Sequence, residues 1–203
     1  MDDDSSVRKS LTRLVTSAGY AVEAFASAGD FLTRDPFVRP CCAVLDVRLP
    51  GLTGLDLQET LERSGYRMPI VFITGQGDIP MSVTAMKRGA VDFLTKPFDR
   101  ERLLKAIEDA VTTDARALSK ERQTADMRER VKRLTPRETE VFALVVTGML
   151  NKQIAGELGI SEKTVKVHRA RVMGKMRAGS VAELVRLADR VGVVWLWGRD
   201  VEE

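Results

Sequence analysis

Residues 41–50 read CCAVLDVRLP, and this stretch decides the fold. It begins with an apolar run that ends at Leu45, which is typical of a strand in a sheet that helices cover on both faces. A carboxylate, Asp46, follows directly. Residues 69–74 repeat the arrangement, since a second apolar run is followed by Thr74. The sequence therefore predicts neighbouring parallel strands, each with a polar side chain at its carboxyl end.

Helix-like and strand-like patterns alternate along the first 112 residues. We predict helices at residues 6–18, 27–33, 54–63, 82–88 and 99–111, and strands at residues 20–25, 41–45, 69–73 and 91–94. The short second helix should bury Phe31 and Leu32. This alternation indicates right-handed βαβ units in a doubly wound parallel sheet of the flavodoxin type. In such a sheet, ligands bind beyond the carboxyl ends of the strands.

A polar side chain follows each of three predicted strands in succession, namely Asp46, Thr74 and Lys96. Together they suggest one site at the edge of the sheet where these strands end. A single Asp after a strand is usually only a turn or a helix cap, but three such residues together are harder to explain in that way. A carboxylate can attack a phosphoryl donor, and Mg²⁺ offsets the repulsion between the two anions. We expect Asp3 and Asp46 to bind Mg²⁺, with Asp2 behind them. Lys96 and Thr74 would hold phosphoryl oxygens.

The length and the composition of the chain limit which classes of protein it can belong to. A length of 203 residues with 44% hydrophobic and 30% charged residues favours two modest globular domains. No apolar stretch approaches the roughly 18 residues that span a bilayer, and the acidic N-terminus lacks a signal pattern. We therefore predict a cytoplasmic protein with no membrane partner. The adjacent Cys41 and Cys42 are interpreted as small core residues in a reducing cytosol. No nucleotide-binding loop or catalytic triad is evident, so no enzyme activity is expected.

Charge is distributed unevenly along the chain. Residues 1–112 carry 14 Lys and Arg against 16 Asp and Glu, residues 113–133 carry 7 against 4, and residues 134–190 carry 10 against 6. An acidic first half and a basic second half suggest different partners, although a solvated surface would allow the same composition. Residues 113–133 lack Gly and Pro and are rich in helix formers, so they predict a charged helical linker that continues the preceding helix.

Short helices with clear caps follow the linker. Thr135 and Glu138 predict a capping box around Pro136. Further caps are predicted at Asn151 for a helix at 152–158, at Ser161 for a helix at 162–176 and at Ser180 for a helix at 180–190. The tight turn at 158–161 is typical of a helix-turn-helix. We predict a DNA-binding domain at 134–193 and an apolar tail at 194–203, which either packs on the last helix or extends a dimer interface.

The third helix of this domain is basic and follows the tight turn. Its predicted DNA-binding residues are Lys163, Thr164, Lys166, Val167, His168, Arg169, Arg171 and Lys175. Such a helix fits the major groove of DNA, where phosphate contacts position it. An ordinary amphipathic helix in a small bundle remains the alternative. His168 is the only histidine, so a helix-face or phosphate contact is preferred to a metal role.

The motifs of the first half resemble those of bacterial response-regulator receiver domains, and of FixJ-like regulators in particular. They are Asp2-Asp3, Asp46, Lys96-Pro97 and the runs 72–83 and 85–93. The resemblance implies that a sensor histidine kinase phosphorylates Asp46 and that the Arg48 carbonyl also binds Mg²⁺. It implies that Thr74 and Phe93 form a switch and that phosphorylated receivers form a homodimer. Plain core packing is the alternative role for Phe93.

The second half is similar to the LuxR/NarL type of helix-turn-helix over nearly all of 134–190. The motifs that carry this resemblance are 134–138, 151–155 and 161–168. It implies that Lys166 and Val167 face bases of double-stranded promoter DNA and that the fourth helix mediates dimerisation. The predicted function is a phosphorylation-controlled transcriptional regulator. The alternatives are a phosphoryl relay protein and a constitutive DNA binder with an inactive receiver.

One departure from the receiver pattern concerns the first strand. Receivers place an apolar strand directly before the acidic pair, whereas here only Met1 precedes Asp2. Either the true start lies upstream or the truncation is real, and we expect the first. In both cases Mg²⁺ binding should be the weakest step for the chain as written. About five apolar residues, a typical strand length, placed before Asp2 should restore it.

Overall fold

The computed structural model describes residues 1–34, 37–75 and 79–192. The chain divides into two compact units, Met1–Leu118 and Ser119–Glu203. The apolar tail at 194–203 lies outside the described residues, so its role stays a prediction. Among the described helices, none combines the length and the apolar character needed to cross a bilayer.

The first unit alternates helices and strands. Its elements are α1 (Ser5–Ser17), α2 (Ala28–Leu32), β1 (Ala43–Asp46), α3 (Gly54–Arg63), β2 (Ile70–Thr74), α4 (Ile79–Lys87), β3 (Asp92–Thr95) and the start of α5 (Arg100–Lys132). The strands form a parallel sheet in the order β1-β2-β3. This architecture confirms the predicted receiver-like α/β fold. Its helix and strand bounds differ from the predicted ones by up to three residues, except in α5.

Apolar side chains cover both faces of the sheet. On one face Phe72 packs in a cluster with Leu57 of α3, and on the other Val71 packs with Leu103 of α5. All five residues of β2 are buried, as expected for a central parallel strand. Each fully buried large apolar side chain contributes about 1.5–3 kcal/mol relative to its exposed state. This core holds the strand ends, and therefore the polar groups beyond them, in a fixed arrangement.

The predicted strand at residues 20–25 is wrong, because no strand is present there in the described structure. A strand requires a neighbour that satisfies its backbone groups. Backbone hydrogen bonds at this segment run from the Asp2 N–H to the Phe25 carbonyl at 3.4 Å and from the Tyr20 N–H to the Val15 carbonyl at 3.3 Å, and neither belongs to a pair of strands. The apolar pattern was correct, but no strand among the described residues pairs with this segment.

The second helix was predicted to bury both Phe31 and Leu32, and only the first is buried. Phe31 is 5% exposed, whereas Leu32 is 43% exposed. Adjacent residues of a helix point about 100° apart, so a helix of five residues packed on one side cannot bury both.

Helix α5 continues without a break from Arg100 to Lys132, through the segment predicted to be a charged helical linker. Asp114 in this helix is fully buried. It accepts hydrogen bonds from the Arg39 side chain at 2.7 Å and from the Cys41 N–H at 2.9 Å. This ion pair holds the segment before β1 against α5.

The second unit is helical around a core that includes Phe142, Val165 and Leu184. Its further elements are α6 (Pro136–Val146), α7 (Asn151–Leu158), α8 (Glu162–Met176) and α9 (Val181–Val191). Asn151 was predicted to cap α7 but is its first residue, with Leu150 at the cap position. Since Leu150 has no polar side chain, the Gln153 side chain instead accepts from the Leu150 N–H at 2.7 Å.

Candidate functional site

Two buried carboxylates meet one ammonium group at the carboxyl edge of the sheet. The Lys96 Nζ lies 2.6 Å from Asp2 Oδ2 and 2.6 Å from Asp46 Oδ2. Asp2 is 1% exposed and Asp46 is 6% exposed. Carboxylates this deeply buried are found only with a partner. The structure therefore brings together three of the residues predicted from the sequence.

The strands place these groups through their register. Parallel pairing sets Asp46 beside Ile73 and Thr74 beside Thr95, so β1, β2 and β3 end near one another. The Lys96 N–H donates to the Thr74 carbonyl at 2.7 Å, which continues the pairing of β3 with β2 one residue beyond the end of β3. Thr74 itself is fully buried. Its place at the strand end, between Asp46 and Lys96 in chain order, is as predicted.

Asp2 reaches the site through backbone bonds around Met1. The Met1 nitrogen donates to the Val44 carbonyl at 2.6 Å, and the Asp46 N–H donates to the Met1 carbonyl at 2.9 Å. Arg8 of α1 donates to the carbonyls of Asp2 and Asp3, each at 2.8 Å. Asp3 is exposed, so its side chain faces solvent at the edge of the site.

Arg48 and Phe93 flank this centre. The Arg48 N–H donates to Asp46 Oδ1 at 2.8 Å, so both carboxylate oxygens of Asp46 accept a hydrogen bond. Phe93 in β3 is half-buried, and its ring centroid lies 6.2 Å from that of Phe72. This packing is compatible with either predicted role of Phe93, a switch or a core residue.

Charge at the centre is unbalanced. Burial lowers the pKa of Lys96, but the hydrogen bonds and charges of Asp2 and Asp46 outweigh burial and leave the pKa raised. The lysine therefore stays charged at neutral pH and is shared by two carboxylates. One cation against two anions leaves room for further positive charge at this edge of the sheet.

The donor atoms suit a hard divalent cation. The Asp3 and Asp46 carboxylates and a backbone carbonyl such as that of Arg48 offer oxygen atoms, the donor type that Mg²⁺ prefers. The described residues contain no group of three His, Cys, Asp or Glu side chains arranged for a metal. Mg²⁺ does not require one, because it usually takes one or two carboxylates and completes its shell with water and phosphate oxygens.

In the second unit, α8 divides its residues between the core and the surface. Val165, Val172 and Met176 are buried, while Lys163, Lys166, Val167 and Arg171 are exposed. Val167 is 45% exposed and lies on the surface beside these charged side chains. Ser161 caps the helix by accepting from the Thr164 N–H at 3.1 Å. The exposed basic face is the one predicted to meet DNA.

Four predicted DNA-binding residues are partly buried, namely Thr164, His168, Arg169 and Lys175. Lys175 donates to Glu138 at 2.5 Å and to the Arg133 carbonyl at 3.0 Å. Arg169 donates to Asn151 Oδ1 at 2.9 Å. The His168 Nδ1 is buried and has no hydrogen-bond partner among the described residues. Lys175 and Arg169 thus hold α8 against its neighbours in the free protein.

Comparison with known families accounts for both units. Residues 1–108 match the response regulator receiver domain, and residues 132–188 match the bacterial regulatory proteins of the luxR family. Nodulation protein W of Bradyrhizobium diazoefficiens is 49% identical over 193 residues, which cover 95% of this chain and 85% of that protein. The transcriptional regulatory protein FixJ of the same organism is 45% identical over 194 residues, which cover 96% and 95%.

The chain belongs to the two-component response regulators that join a receiver domain to a LuxR-type DNA-binding domain. Solved structures agree. The response regulator StyR is 47% identical with a TM-score of 0.81, covering 94% of this chain and 96% of that one. Full-length FixJ from B. japonicum is 45% identical with a TM-score of 0.56, covering 95% of each. The predicted family is confirmed, and these matches do not favour a constitutive DNA binder.

Sequence reasoning missed Gly54 in this response regulator. A Cβ at this position would lie 2.4 Å from the Asp46 carbonyl oxygen and 3.1 Å from the Phe72 ring. Gly54 begins α3, and its N–H donates to the Val47 carbonyl at 2.9 Å. The helix therefore starts directly against the backbone of the predicted phosphoacceptor. The sequence signal for this contact was a glycine three residues after Leu49-Pro50-Gly51. The sequence alone does not reveal how close Gly54 lies to Asp46.

Gly54→Ala is expected to destabilise the receiver by about 2–4 kcal/mol, because neither a backbone carbonyl nor a packed ring can move away cheaply. Calorimetry of the full chain would measure the loss. Gly29→Ala is the matched control, because a Cβ at Gly29 meets only Ser27 Oγ at 3.7 Å. A Gly54→Ala protein as stable as Gly29→Ala would show that the close approach does not exist.

Glu138 is the second residue whose role was underestimated. It was predicted only as a capping residue, and its side chain also pairs with Lys175. The hydrogen bond from Lys175 and the backbone hydrogen bond from Thr135 lower the pKa of Glu138. A lowered folded-state pKa contributes stability above the unfolded pKa of about 4.3, and the contribution is lost as the pH falls through the folded value.

Glu138→Gln should therefore destabilise the DNA-binding unit by about 1–2 kcal/mol at pH 7 and by less at pH 3. Urea unfolding at the two pH values, followed by helical circular dichroism, would test this. Glu157→Gln is a control at an exposed position on α7. Equal losses for Glu138→Gln at both pH values would contradict the ion-pair interpretation.

Proposed function

We propose that Asp46 accepts a phosphoryl group from a sensor histidine kinase and that this phosphorylation controls binding of promoter DNA by α8. The observation that carries the proposal is the pair of 2.6 Å contacts from Lys96 to two buried carboxylates at the carboxyl edge of the sheet. A buried carboxylate with a cation in place is suited to attack a phosphoryl group, whose negative charge the lysine can share.

The proposed step is a nucleophilic displacement at phosphorus. An Asp46 oxygen forms the new bond to phosphorus, and the bond between phosphorus and the kinase imidazole nitrogen breaks, leaving its electron pair on that nitrogen. The Lys96 ammonium balances charge on the transferred group. Thr74 would donate its hydroxyl to one phosphoryl oxygen. The product is an acyl phosphate on Asp46.

Bound Mg²⁺ would supply charge neutralisation between the two anions. Asp3, Asp46 and the Arg48 carbonyl are its proposed ligands, with Asp2 supporting them. The oxygen donor set and the excess negative charge of the site support this assignment. The exposed position of Asp3 leaves its side chain accessible to a hydrated cation.

The switch that follows would run through β2 and β3. Movement of Thr74 towards the phosphoryl group would leave space into which Phe93 can rotate from its half-buried position beside Phe72. The surface of α4 and β3 would then change, and two receivers would form a homodimer. Apolar side chains on α4 support this assignment, because Ile79, Val83 and Met86 are 79%, 44% and 45% exposed.

In the DNA-binding domain, Lys166 and Val167 are proposed to face bases, and Lys163, Thr164 and Arg171 to contact phosphates. His168, Arg169 and Lys175 are proposed as further DNA contacts, although Arg169 and Lys175 must then exchange or share their present partners. The proposed boundaries are 1–112 for the receiver, 113–133 for the linker and 134–193 for the DNA-binding domain. We place the protein in the cytoplasm, acting on a kinase and on DNA without turnover of an external substrate.

Lys166→Ala should weaken specific DNA binding by about 1–3 kcal/mol and relax base preference at one position of the site. Fluorescence anisotropy with a promoter fragment selected from genomic DNA, with and without acetyl phosphate, would measure it. Lys120→Ala removes the same charge from an exposed position on α5 and serves as the control. If acetyl phosphate leaves the affinity of the unsubstituted chain unchanged, the proposed control by phosphorylation is wrong.

A further inference from the structure

The C-terminal ends of α5 and α8 contact each other inside the second unit. The Arg130 guanidinium, on the last turn of α5, donates to the Met176 carbonyl at 3.0 Å. The Lys175 ammonium, on the last turn of α8, donates in the other direction to the Arg133 carbonyl at 3.0 Å. Each helix thus supplies a cation to a carbonyl at the end of the other. We call this pair of hydrogen bonds the α5–α8 contact.

The C-terminal end of a helix favours such a contact. Its last four carbonyl groups have no partner within the helix, and they carry a partial negative charge. At the end of α8 the Arg177 N–H satisfies the Gly174 carbonyl at 3.1 Å. The Met176 carbonyl, two residues further along, receives its hydrogen bond from Arg130. The end of α8 is therefore completed by a side chain from another helix.

The Arg130 side chain is held in place by its surroundings. It is 19% exposed, and its second terminal nitrogen pairs with Asp126 one turn earlier on α5. Met127 is 5% exposed, Met176 is fully buried and Val131 packs against the core of the second unit. Since most of the guanidinium is enclosed, this arrangement favours a role in holding α8 over a contact with a DNA phosphate.

The orientation of α8 matters for the bases that it would contact. Lys166 lies ten residues before Met176, which is about 15 Å along the helix axis at 1.5 Å per residue. A tilt of about 4° around the C-terminal end would therefore move Lys166 by about 1 Å. Hydrogen-bond lengths vary over only about 0.5 Å, so this movement would break a contact with a base edge. Attraction to phosphates falls off more slowly with distance and would largely persist.

We propose that Arg130 is a positioning residue for sequence-specific DNA binding, because it fixes the orientation of α8 through the Met176 carbonyl. The inference rests on the proposed binding of DNA by α8 and adds a residue to it. Arg130 lies outside residues 132–188, the part of the chain that matches the luxR family. The part of the protein that recognises DNA therefore includes the end of α5.

Arg130→Met tests the proposal on the full chain, because methionine keeps an apolar side chain but removes the cation and its donors. Fluorescence anisotropy at several salt concentrations, with acetyl phosphate present, would measure affinity for a promoter fragment selected from genomic DNA and for a random-sequence fragment of equal length. We expect about tenfold weaker binding of the promoter fragment and less than about a twofold change for the random fragment. The salt dependence should stay the same.

Two further variants separate the cation from the fold. Arg130→Lys should recover much of the affinity for the promoter fragment, because it restores a cationic donor near the Met176 carbonyl. Lys132→Met is the matched control, since it removes a charge from an exposed position on the same helix, where Lys132 pairs only with the exposed Glu129. It should leave both affinities unchanged.

The ratio of the two affinities distinguishes positioning from other roles of Arg130. A purely structural role would lower the folded fraction and weaken both affinities by the same factor. A direct phosphate contact would also weaken both, and it would reduce the salt slope by about 1. Either result would overturn the proposal. Arg130→Met with the promoter affinity of the unsubstituted chain, or Arg130→Lys with no recovery, would overturn it too.

Lys166→Ala is measured in parallel, so that failure of this inference can be told from failure of the proposed function. If Lys166→Ala weakens promoter binding and Arg130→Met does not, the positioning role alone is wrong. If neither substitution changes promoter binding, the proposed binding of DNA by α8 is wrong as well.

Discussion

Replacing Asp46 with asparagine is expected to reduce phosphoryl incorporation from acetyl phosphate by at least about 100-fold, because the amide has no nucleophilic carboxylate oxygen. The substitution keeps the shape of the side chain and one oxygen that can accept from Lys96 or Arg48. The fold of the receiver should therefore persist, and any stimulation of DNA binding by acetyl phosphate should be lost. Phosphoprotein gels and fluorescence anisotropy would measure the two effects.

The control for Asp46→Asn is Asp30→Asn, which changes an exposed carboxylate near the start of α2. It should incorporate phosphoryl groups at the unsubstituted rate. The proposed role of Asp46 is contradicted if Asp46→Asn retains that rate, or if both substitutions reduce it equally.

Lys96→Met is expected to have the second largest effect. It should lower the stability of the receiver and also impair phosphoryl transfer to Asp46. It leaves Asp2 and Asp46 buried, 1% and 6% exposed, without their shared cation. Breaking a buried ion pair commonly costs about 3–5 kcal/mol, and we expect about 2–3 kcal/mol at pH 7 because the lysine side chain is itself 24% exposed. Scanning calorimetry of the full chain, with the receiver transition assigned by hydrogen exchange, would measure the loss.

We attribute the stability loss of Lys96→Met to repulsion between the two buried carboxylates, and a second substitution tests this cause. Adding Asp2→Asn to the Lys96→Met protein removes one of the two like charges and should recover part of the lost stability. Lys105→Met is the control, because Lys105 pairs only with exposed carboxylates on α5 and its loss should leave stability nearly unchanged. No recovery in the double variant would mean that lost packing, not charge, explains the effect.

The sign of the pH dependence follows from the raised pKa of Lys96. A group whose folded pKa is raised contributes stability that is fully present below the unfolded pKa, about 10.4 for lysine. The contribution is lost as the pH rises through the folded value. The difference in stability between the unsubstituted chain and Lys96→Met should thus be constant near neutral pH and shrink only in strongly alkaline solution.

The positions of the strand ends could be predicted from the sequence because they depend on a local pattern of residues. Continuous apolar runs before Asp46 and Thr74 predict buried parallel strands, and the carboxyl ends of such strands meet at one edge. The relative position of Lys96 follows from the same rule. Its sharing by two carboxylates at 2.6 Å does not, since that depends on side-chain distances between residues 94 positions apart.

Features that depend on a partner in space were the ones predicted wrongly or missed. Residues 20–25 have the composition of a strand, but none of the strands that the structure describes pairs with them. Leu32 has the hydrophobicity of a core residue but lies on the uncovered side of a five-residue helix. Lys175 was interpreted from its charge alone, whereas its contact with Glu138 joins α8 to α6. No local pattern reveals such contacts.

Mapping the phosphorylated residue tests the central claim most directly. The full chain is incubated with acetyl phosphate and Mg²⁺, and borohydride then reduces any acyl phosphate of aspartate to homoserine, which tryptic mass spectrometry can locate. We predict conversion at Asp46 alone, and its loss when Mg²⁺ is removed by a chelator. Conversion at Asp2, at Asp3 or at another aspartate, or no conversion under conditions that modify a known response regulator, would contradict the assignment of Asp46 as the phosphoacceptor.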